Sequence, residues 1–377
     1  MKLLLIPDKF KGSLTSEEVS KAFMAGVERA GVECTSHYIK ASDGGDGFMA
    51  AVAQYKACIS VQVISENPMG NPIQSYYLYN KESNSAFIEL ANASGMELLS
   101  PENRNPMLTS TFGTGLQIKD AVEKGIGHIY IGLGGSATND GGIGMAQALG
   151  YTFMDVKGKP LAPTGGNLGH IAGIDTSNTA PKLKHVSFFA VNDVTNPLLG
   201  EDGAAHVYAA QKGATKEMIT VLDDGLRNLE TVVSEKFALN NADVPGSGAA
   251  GGAAFGLKSF FGATYVSGID FILELSEVKK ILEREKFDFL ITGEGKIDGQ
   301  TLSGKLIQGV LILGKTYDIP VLAVCGKLAI PAEELKKRGV YELIEIQDTS
   351  KDLDYNMEHA SELLTQKTTD FFQKWVK

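Results

Sequence analysis

Cysteine is scarce in this chain. Cys34, Cys58 and Cys325 are far apart and show no metal-ligand spacing, which points to inert thiols in a reducing cytoplasm. The six histidines form no cluster. There is no Lys/Arg block, and the net charge is −10, which argues against nucleic acid and against an anionic membrane surface as partners. No apolar run approaches the roughly 20 residues that span a bilayer. The first one, residues 3–6, stops at Pro7 and Asp8, so it reads as a strand and not as a signal peptide. Low-complexity sequence is absent. The one internal echo, D-G-G-D-G at Asp43 and D-G-G-I-G at Asp140, is too short to indicate duplication.

At 377 residues the chain exceeds one ordinary core, and 43% hydrophobic residues supply enough apolar material for two domains. Alternating strand and helix patterns mark the amino-terminal end: strands at residues 2–6, 37–41 and 59–64, and a helix at 16–30 opened by T-S-E-E-V. A hairpin follows, with strands at 75–79 and 86–90 around K-E-S-N-S. Further strands are expected at 128–133 and 186–191, and helices at 215–236 and 249–260. The βα rhythm returns with strands at 289–292, 321–325 and 343–346 and helices at 303–315 and 355–376. This predicts an α/β protein with two α/β domains. Residues 1–70 with 285–377 form a discontinuous, doubly wound domain. Residues 71–284 form an inserted mixed-sheet domain carrying the glycine-rich loops.

The chain is organised around residues 129–150, I-Y-I-G-L-G-G-S-A-T-N-D-G-G-I-G-M-A-Q-A-L-G. A short strand runs into a loop with six glycines from Gly132 to Gly144 and then into a helix. A tight βα turn needs one or two glycines. Six bare backbone positions before a helix N-terminus suit an anion, so Gly134, Gly135, Ser136, Ala137, Thr138, Asn139 and Asp140 are candidate phosphate or carboxylate contacts. An acidic protein that handles an anion must concentrate a few cations locally. Two other motifs mislead. G-V-L-I-L-G-K-T at 309–316 matches a P-loop but lies within a helical pattern. G-S-G-A-A-G at 246–251 matches a dinucleotide fingerprint but follows turn composition instead of a strand. Its Gly248 and Gly251 remain candidate nucleotide contacts. Ser136 lacks the nucleophile-elbow pattern of serine hydrolases.

In a doubly wound sheet, ligands meet the carboxyl ends of the strands. P-D-K-F-K-G-S, S-D-G-G-D-G and G-E-G-K-I-D-G-Q-T all fall there. These loops add Ser13, Asp43, Gly44, Gly45, Gly293 and Lys296 as candidate substrate or ATP contacts. Lys11 and Lys305 are the expected clamps on a phosphoryl group, while Lys9 reads as a solvated lysine. Carboxylates among such lysines suit a magnesium–phosphate ligand, with Asp298 and Glu294 on the metal side. Asp193, after the strand at 186–191, is the expected general base. The reverse assignment of Asp193 and Asp298 stays open, and so does a role for Asp193 as a cap of the N-P-L-L turn.

Together, P-D-K-F-K-G-S-L-T, S-D-G-G-D-G, G-L-G-G-S-A-T-N-D-G-G-I-G, N-D-V-T-N-P-L-L-G, Q-K-G-A, P-G-S-G-A-A-G-G and T-G-E-G-K-I-D-G-Q-T-L-S-G-K resemble the type I glycerate kinase family. They occur in the family's order across nearly the whole chain, with departures at Lys9, Asp46, Phe48 and Thr195. The resemblance implies two α/β domains, one of them flavodoxin/Rossmann-like, and ATP- and Mg2+-dependent phosphorylation of D-glycerate, usually giving 2-phosphoglycerate; the expected enzyme is a cytoplasmic monomer or homodimer. The alternatives are a kinase for another small hydroxy acid and a non-catalytic two-domain binder of small acids. A dehydrogenase would need the dinucleotide fingerprint set aside above.

Overall fold

The computed structural model describes every residue except 42, 43, 46, 300–304 and 376–377, and Lys305 in its backbone only. Thirteen strands occur among the described residues: β1 (Lys2–Pro7), β2 (Thr35–Tyr38), β3 (Ile59–Glu66), β4 (Pro72–Asn80), β5 (Ser85–Glu89), β6 (His128–Gly132), β7 (Thr152–Met154), β8 (Gly173–Asp175), β9 (Ser187–Val191), β10 (Thr264–Val266), β11 (Phe289–Ile297), β12 (Val321–Leu328) and β13 (Val340–Glu345). They divide between two compact units, Met1–Ser42 with Ile269–Lys377, and Asp43–Gly268.

These boundaries differ from those expected near residues 70 and 285. β3 is not a strand of the first unit. It pairs antiparallel with β4, from Ile59↔Tyr79 to Glu66↔Pro72. The turn between them is held by Asn67, whose side-chain oxygen accepts the N–H groups of Met69 and Asn71 at 3.0 Å each. A boundary at 70 would have cut this hairpin. At the other end, the helices Gly268–Leu275 and Val278–Arg284 fold largely with the first unit.

The first unit carries a parallel sheet in the order β13-β12-β11-β1-β2. Counted within the unit, that is 2-1-3-4-5, the flavodoxin-like doubly wound order. The helix Ser16–Arg29 starts at the expected capping box. The Thr15 hydroxyl accepts the Glu18 N–H, and the Glu18 carboxylate accepts the Thr15 N–H at 2.8 Å. Its apolar stripe of Val19, Phe23 and Val27 packs with Leu3, Leu5, Ile291, Leu322 and Phe372 into one core.

The second unit is built on a six-stranded sheet, β10-β9-β6-β5-β4-β3. β5, β6, β9 and β10 run parallel, and the β3–β4 and β4–β5 hairpins complete the edge. Ile129 and Ile131 of β6, buried on the central strand, join Ile88, Phe188 and Leu257 in the core. The helix Ala249–Phe261 is broken near its start. Ala250, Gly251 and Gly252 are left-handed, with φ of 54°, 66° and 82°, so regular helix begins after Gly252. Among the described residues no helix is long and apolar enough to cross a membrane.

One contact in the first unit sets a sign. Gly26 lies where the helix Ser16–Arg29 meets the helix Ala360–Trp375, and a Cβ there would stand 2.5 Å from Thr368 Cβ and 2.6 Å from the Thr365 carbonyl oxygen. Gly26→Ala gains about 1 kcal/mol of helix propensity and costs roughly 1–3 kcal/mol of overpacking against backbone. The variant is expected to unfold at lower urea concentration than the parent chain. A raised midpoint would show that the helices separate without cost.

Candidate active site

The loop after β6 is held by its carbonyls. The Gly135 carbonyl accepts the Met96 N–H at 2.9 Å, the Ala137 carbonyl accepts the Thr109 hydroxyl at 2.9 Å, and the Thr138 carbonyl accepts Lys212 Nζ at 2.7 Å. In a trans peptide the next N–H points opposite to the carbonyl. The N–H groups of Ser136, Thr138 and Asn139 therefore face away from those donors. The expected cradle is narrower than the motif suggested. The Gly134 N–H donates to the Gly44 carbonyl at 3.2 Å, and the Ala137 N–H to the Ser94 carbonyl at 2.9 Å. Thr138, Asn139 and Asp140 have no solvent exposure. The open edge is Gly135, half-buried, with Ser136 beside it at 5% exposure; their N–H groups have no protein acceptor among the described residues.

The helix N-terminus behind the loop is already occupied. Asp140 Oδ1 accepts the Gly142 N–H at 3.1 Å. Its Oδ2 accepts the Thr111 N–H at 2.7 Å, the Thr111 hydroxyl at 2.8 Å and the Gly144 N–H at 3.3 Å. Thr111 Oγ1 in turn accepts the Met145 N–H at 3.1 Å. Asp140 is therefore a buried cap and not a ligand contact. Burial pushes its carboxyl upward, and the four donated bonds pull the other way. Every neighbour donates, which is the environment of an acceptor-only carboxylate.

Lys212 faces the loop from inside. It is 2% exposed, and its ammonium donates to Ser136 Oγ at 2.8 Å as well as to the Thr138 carbonyl. Burial pulls its pKa down to about 7, against the opposing charge of Asp140. Beside it, Thr138 Oγ1 and both polar atoms of the Asn139 side chain are buried without a partner among the described residues. Lys212 was not among the expected site residues, although Q-K-G-A is one of the family's motifs. The available signal was a single lysine amid A-A-Q-K-G-A, where every neighbour is small or uncharged.

Other loops converge on the same edge of this sheet. Gly44 lies so close to β9 that a Cβ would stand 2.6 Å from the Val191 carbonyl oxygen. The Phe48 N–H donates to the Gly45 carbonyl at 3.1 Å. Glu89, at the end of β5, accepts the Gly47 and Met49 N–H groups at 3.1 Å each and so caps the helix Phe48–Tyr55. Asp43 and Asp46 lie outside the described residues. Asp193 follows β9 and accepts the Ser267 hydroxyl at 2.8 Å, from the end of the adjacent parallel strand β10. The need for glycine at Gly248 and Gly251 is met by the protein's own backbone. A Cβ would stand 2.2 Å from the Pro197 carbonyl oxygen at Gly248, and 2.1 Å from that of Thr138 at Gly251.

In the first unit, β1 and β11 are adjacent at the point where the strand order reverses, and the loop after β1 packs on β11. Gly295 would place a Cβ 3.2 Å from the Lys11 backbone nitrogen. Lys11 is exposed. The Ser13 hydroxyl donates to the Met357 carbonyl at 2.6 Å and anchors the loop. β11 runs to Ile297, so Glu294 and Lys296 lie on a strand instead of in the expected loop. Gly293 is buried against β12, with the Val324 carbonyl oxygen 1.9 Å from a would-be Cβ. Lys296 pairs with Asp298 at 3.0 Å in a largely exposed ion pair. The Lys305 side chain lies outside the described residues.

The fit to magnesium is partial. Glu294 and Asp298 are four residues apart, about 13 Å along extended backbone, which is too far for comfortable joint ligation of one small ion. Among the described residues no group of three His, Cys, Asp or Glu side chains could hold a metal. Magnesium often takes one or two carboxylates and completes its shell with phosphate oxygens and water. A single carboxylate of this pair meets that requirement; the shared pair does not.

Each unit places glycine loops, lysines and acids at the ends of its strands, a composition that suits phosphoryl transfer. Comparison with known proteins gives the family. Residues 3–376 match the glycerate kinase family, and the chain belongs to it. It is 37% identical to the glycerate kinase of Halalkalibacterium halodurans over 364 residues, 97% of this chain and 95% of that one. It is 36% identical to the glycerate 2-kinase of Escherichia coli K12 over 340 residues, 90% and 89% of the two chains. A crystal structure provisionally named glycerate kinase 2, from Salmonella typhimurium LT2, superposes with a TM-score of 0.79 at 35% identity, over 100% of this chain and 98% of that one. The chain is accordingly a kinase of glycerate that uses ATP.

The cap and ligand readings of Asp140 predict different losses. Asp140→Ala leaves several buried donors without an acceptor, at about 1–3 kcal/mol each. The variant should lose at least about 3 kcal/mol of stability in chemical denaturation. A wild-type midpoint with a raised KM would return Asp140 to the ligand.

Proposed function

We propose that the chain transfers the γ-phosphoryl group of ATP to the 2-hydroxyl of D-glycerate, giving 2-phosphoglycerate and ADP, with magnesium on the phosphates. The choice of hydroxyl rests on likeness to the relative named glycerate 2-kinase. The observation that carries the site reading is the pair of unused N–H groups at Gly135 and Ser136, at the carboxyl end of β6 beside the strand that leads to Asp193.

In this reading the glycine loop holds one anion, a phosphate or the glycerate carboxylate. Asp193, steadied by Ser267, takes the hydroxyl proton as the substrate oxygen attacks the γ-phosphorus. The bond from that phosphorus to the bridging oxygen breaks, and ADP leaves with the electron pair. Lys11 offsets charge on the transferring group, with Lys296 and Lys305 assigned the same task. Asp298 or Glu294 would hold magnesium, which would supply charge neutralisation for the phosphates. Three free cysteines suit a reducing cytoplasm.

Incubation with ATP, magnesium and D-glycerate should release ADP and yield a phosphate ester on C2, read by phosphorus NMR. An ester on C3 overturns the regiochemistry. ADP release with another small hydroxy acid and none with D-glycerate overturns the substrate. Asp193→Asn should lose about 10²–10⁴-fold in kcat with little change in either KM. Lys11→Met should lose about 10²-fold. A near-native kcat in both variants removes these residues from the chemistry.

A further inference from the structure

Burying a lysine costs several kcal/mol unless its charge has a use, and a methionine could fill the same space. Among the described residues Lys212 is the only buried Lys or Arg. Both of its bonds go to the glycine-rich loop, at the Ser136 hydroxyl and the Thr138 carbonyl. The bond to Ser136 has a directional consequence. A hydroxyl oxygen that accepts from an ammonium has its own hydrogen left to donate elsewhere. Ser136 is 5% exposed and adjoins Gly135, on the open edge of the loop.

We propose that Lys212 is a positioning residue for phosphoryl transfer: from inside the unit it makes the Ser136 hydroxyl a donor to the bound anion and fixes the peptide after Thr138. This rests on the kinase reading and adds to it the group that sets the loop. Lys212 touches neither substrate. It acts through Ser136, which completes a three-donor edge with the N–H groups of Gly135 and Ser136. Asp140 is the charged group that faces it, and it holds the ammonium form against burial.

The test is a double-mutant cycle on the full chain. KM for ATP and for D-glycerate, kcat and melting temperature are measured for the parent, Lys212→Met, Ser136→Ala and the double variant. Lys212→Met should raise one KM by about 10–10²-fold, and Ser136→Ala should raise the same one. The double variant should be little worse than the more severe single, because the two act in series. Fold-changes that multiply, or a Lys212→Met variant with unchanged KM values and only a lower melting temperature, overturn the proposal.

Should Lys212→Met fail to fold, the pH dependence of the parent decides. The lysine loses its proton around pH 7. The parent's affected KM should rise through that pH, and the Ser136→Ala profile should lack that rise. Parallel profiles overturn the proposal. A parent chain that phosphorylates no hydroxy acid refutes the kinase reading instead.

Discussion

The second unit depends on a buried carboxylate. Asp140 collects N–H groups from Thr111, Gly142 and Gly144 and a hydroxyl from Thr111, so it joins the start of the helix Phe112–Glu123 to the start of the helix Ile143–Ala148. With that helix end satisfied internally, the loop before it is no longer needed as a cap and can present backbone toward a ligand. Lys212, opposite in charge, closes the arrangement from below. An apolar pair would fill the volume without the desolvation cost of two charges, but it would leave the Thr138 carbonyl and the Ser136 hydroxyl without a director.

The glycines explain much of what the sequence left hidden. In a linear reading, a run of bare backbone means room for a ligand. Most of these positions instead make room for another strand or loop of the same chain: Gly44 against Val191, Gly251 against Thr138, Gly293 against Val324. Steric need for glycine is visible in sequence, but the identity of the approaching group is not, because it comes from residues about 30 to 150 positions away. Gly135, left-handed at φ 71° and on the open edge, is where the anion reading keeps its force.

Local signals carried the fold well where they were sufficient. The capping box at Thr15, the β4–β5 hairpin and the doubly wound βα rhythm all follow from spacing and turn chemistry. The failures have physical causes. β3 has strand composition like its predecessors, and only the Asn67 turn reveals that it pairs forward with β4. β11 continues through G-E-G-K-I because β12 pairs beside it as far as Ile297↔Leu328, which no local propensity could show. Lys212 was silent because a lysine in sequence reads as surface, and burial is a tertiary fact.

The central claim is that the open edge of the glycine-rich loop binds a substrate anion. A crystal structure with a non-hydrolysable ATP analogue and D-glycerate tests it most directly. A phosphate or carboxylate oxygen should stand about 2.7–3.2 Å from the nitrogens of Gly135 and Ser136 and from Ser136 Oγ. An ordered complex in which those groups meet only water, with both substrates bound elsewhere, would contradict the account.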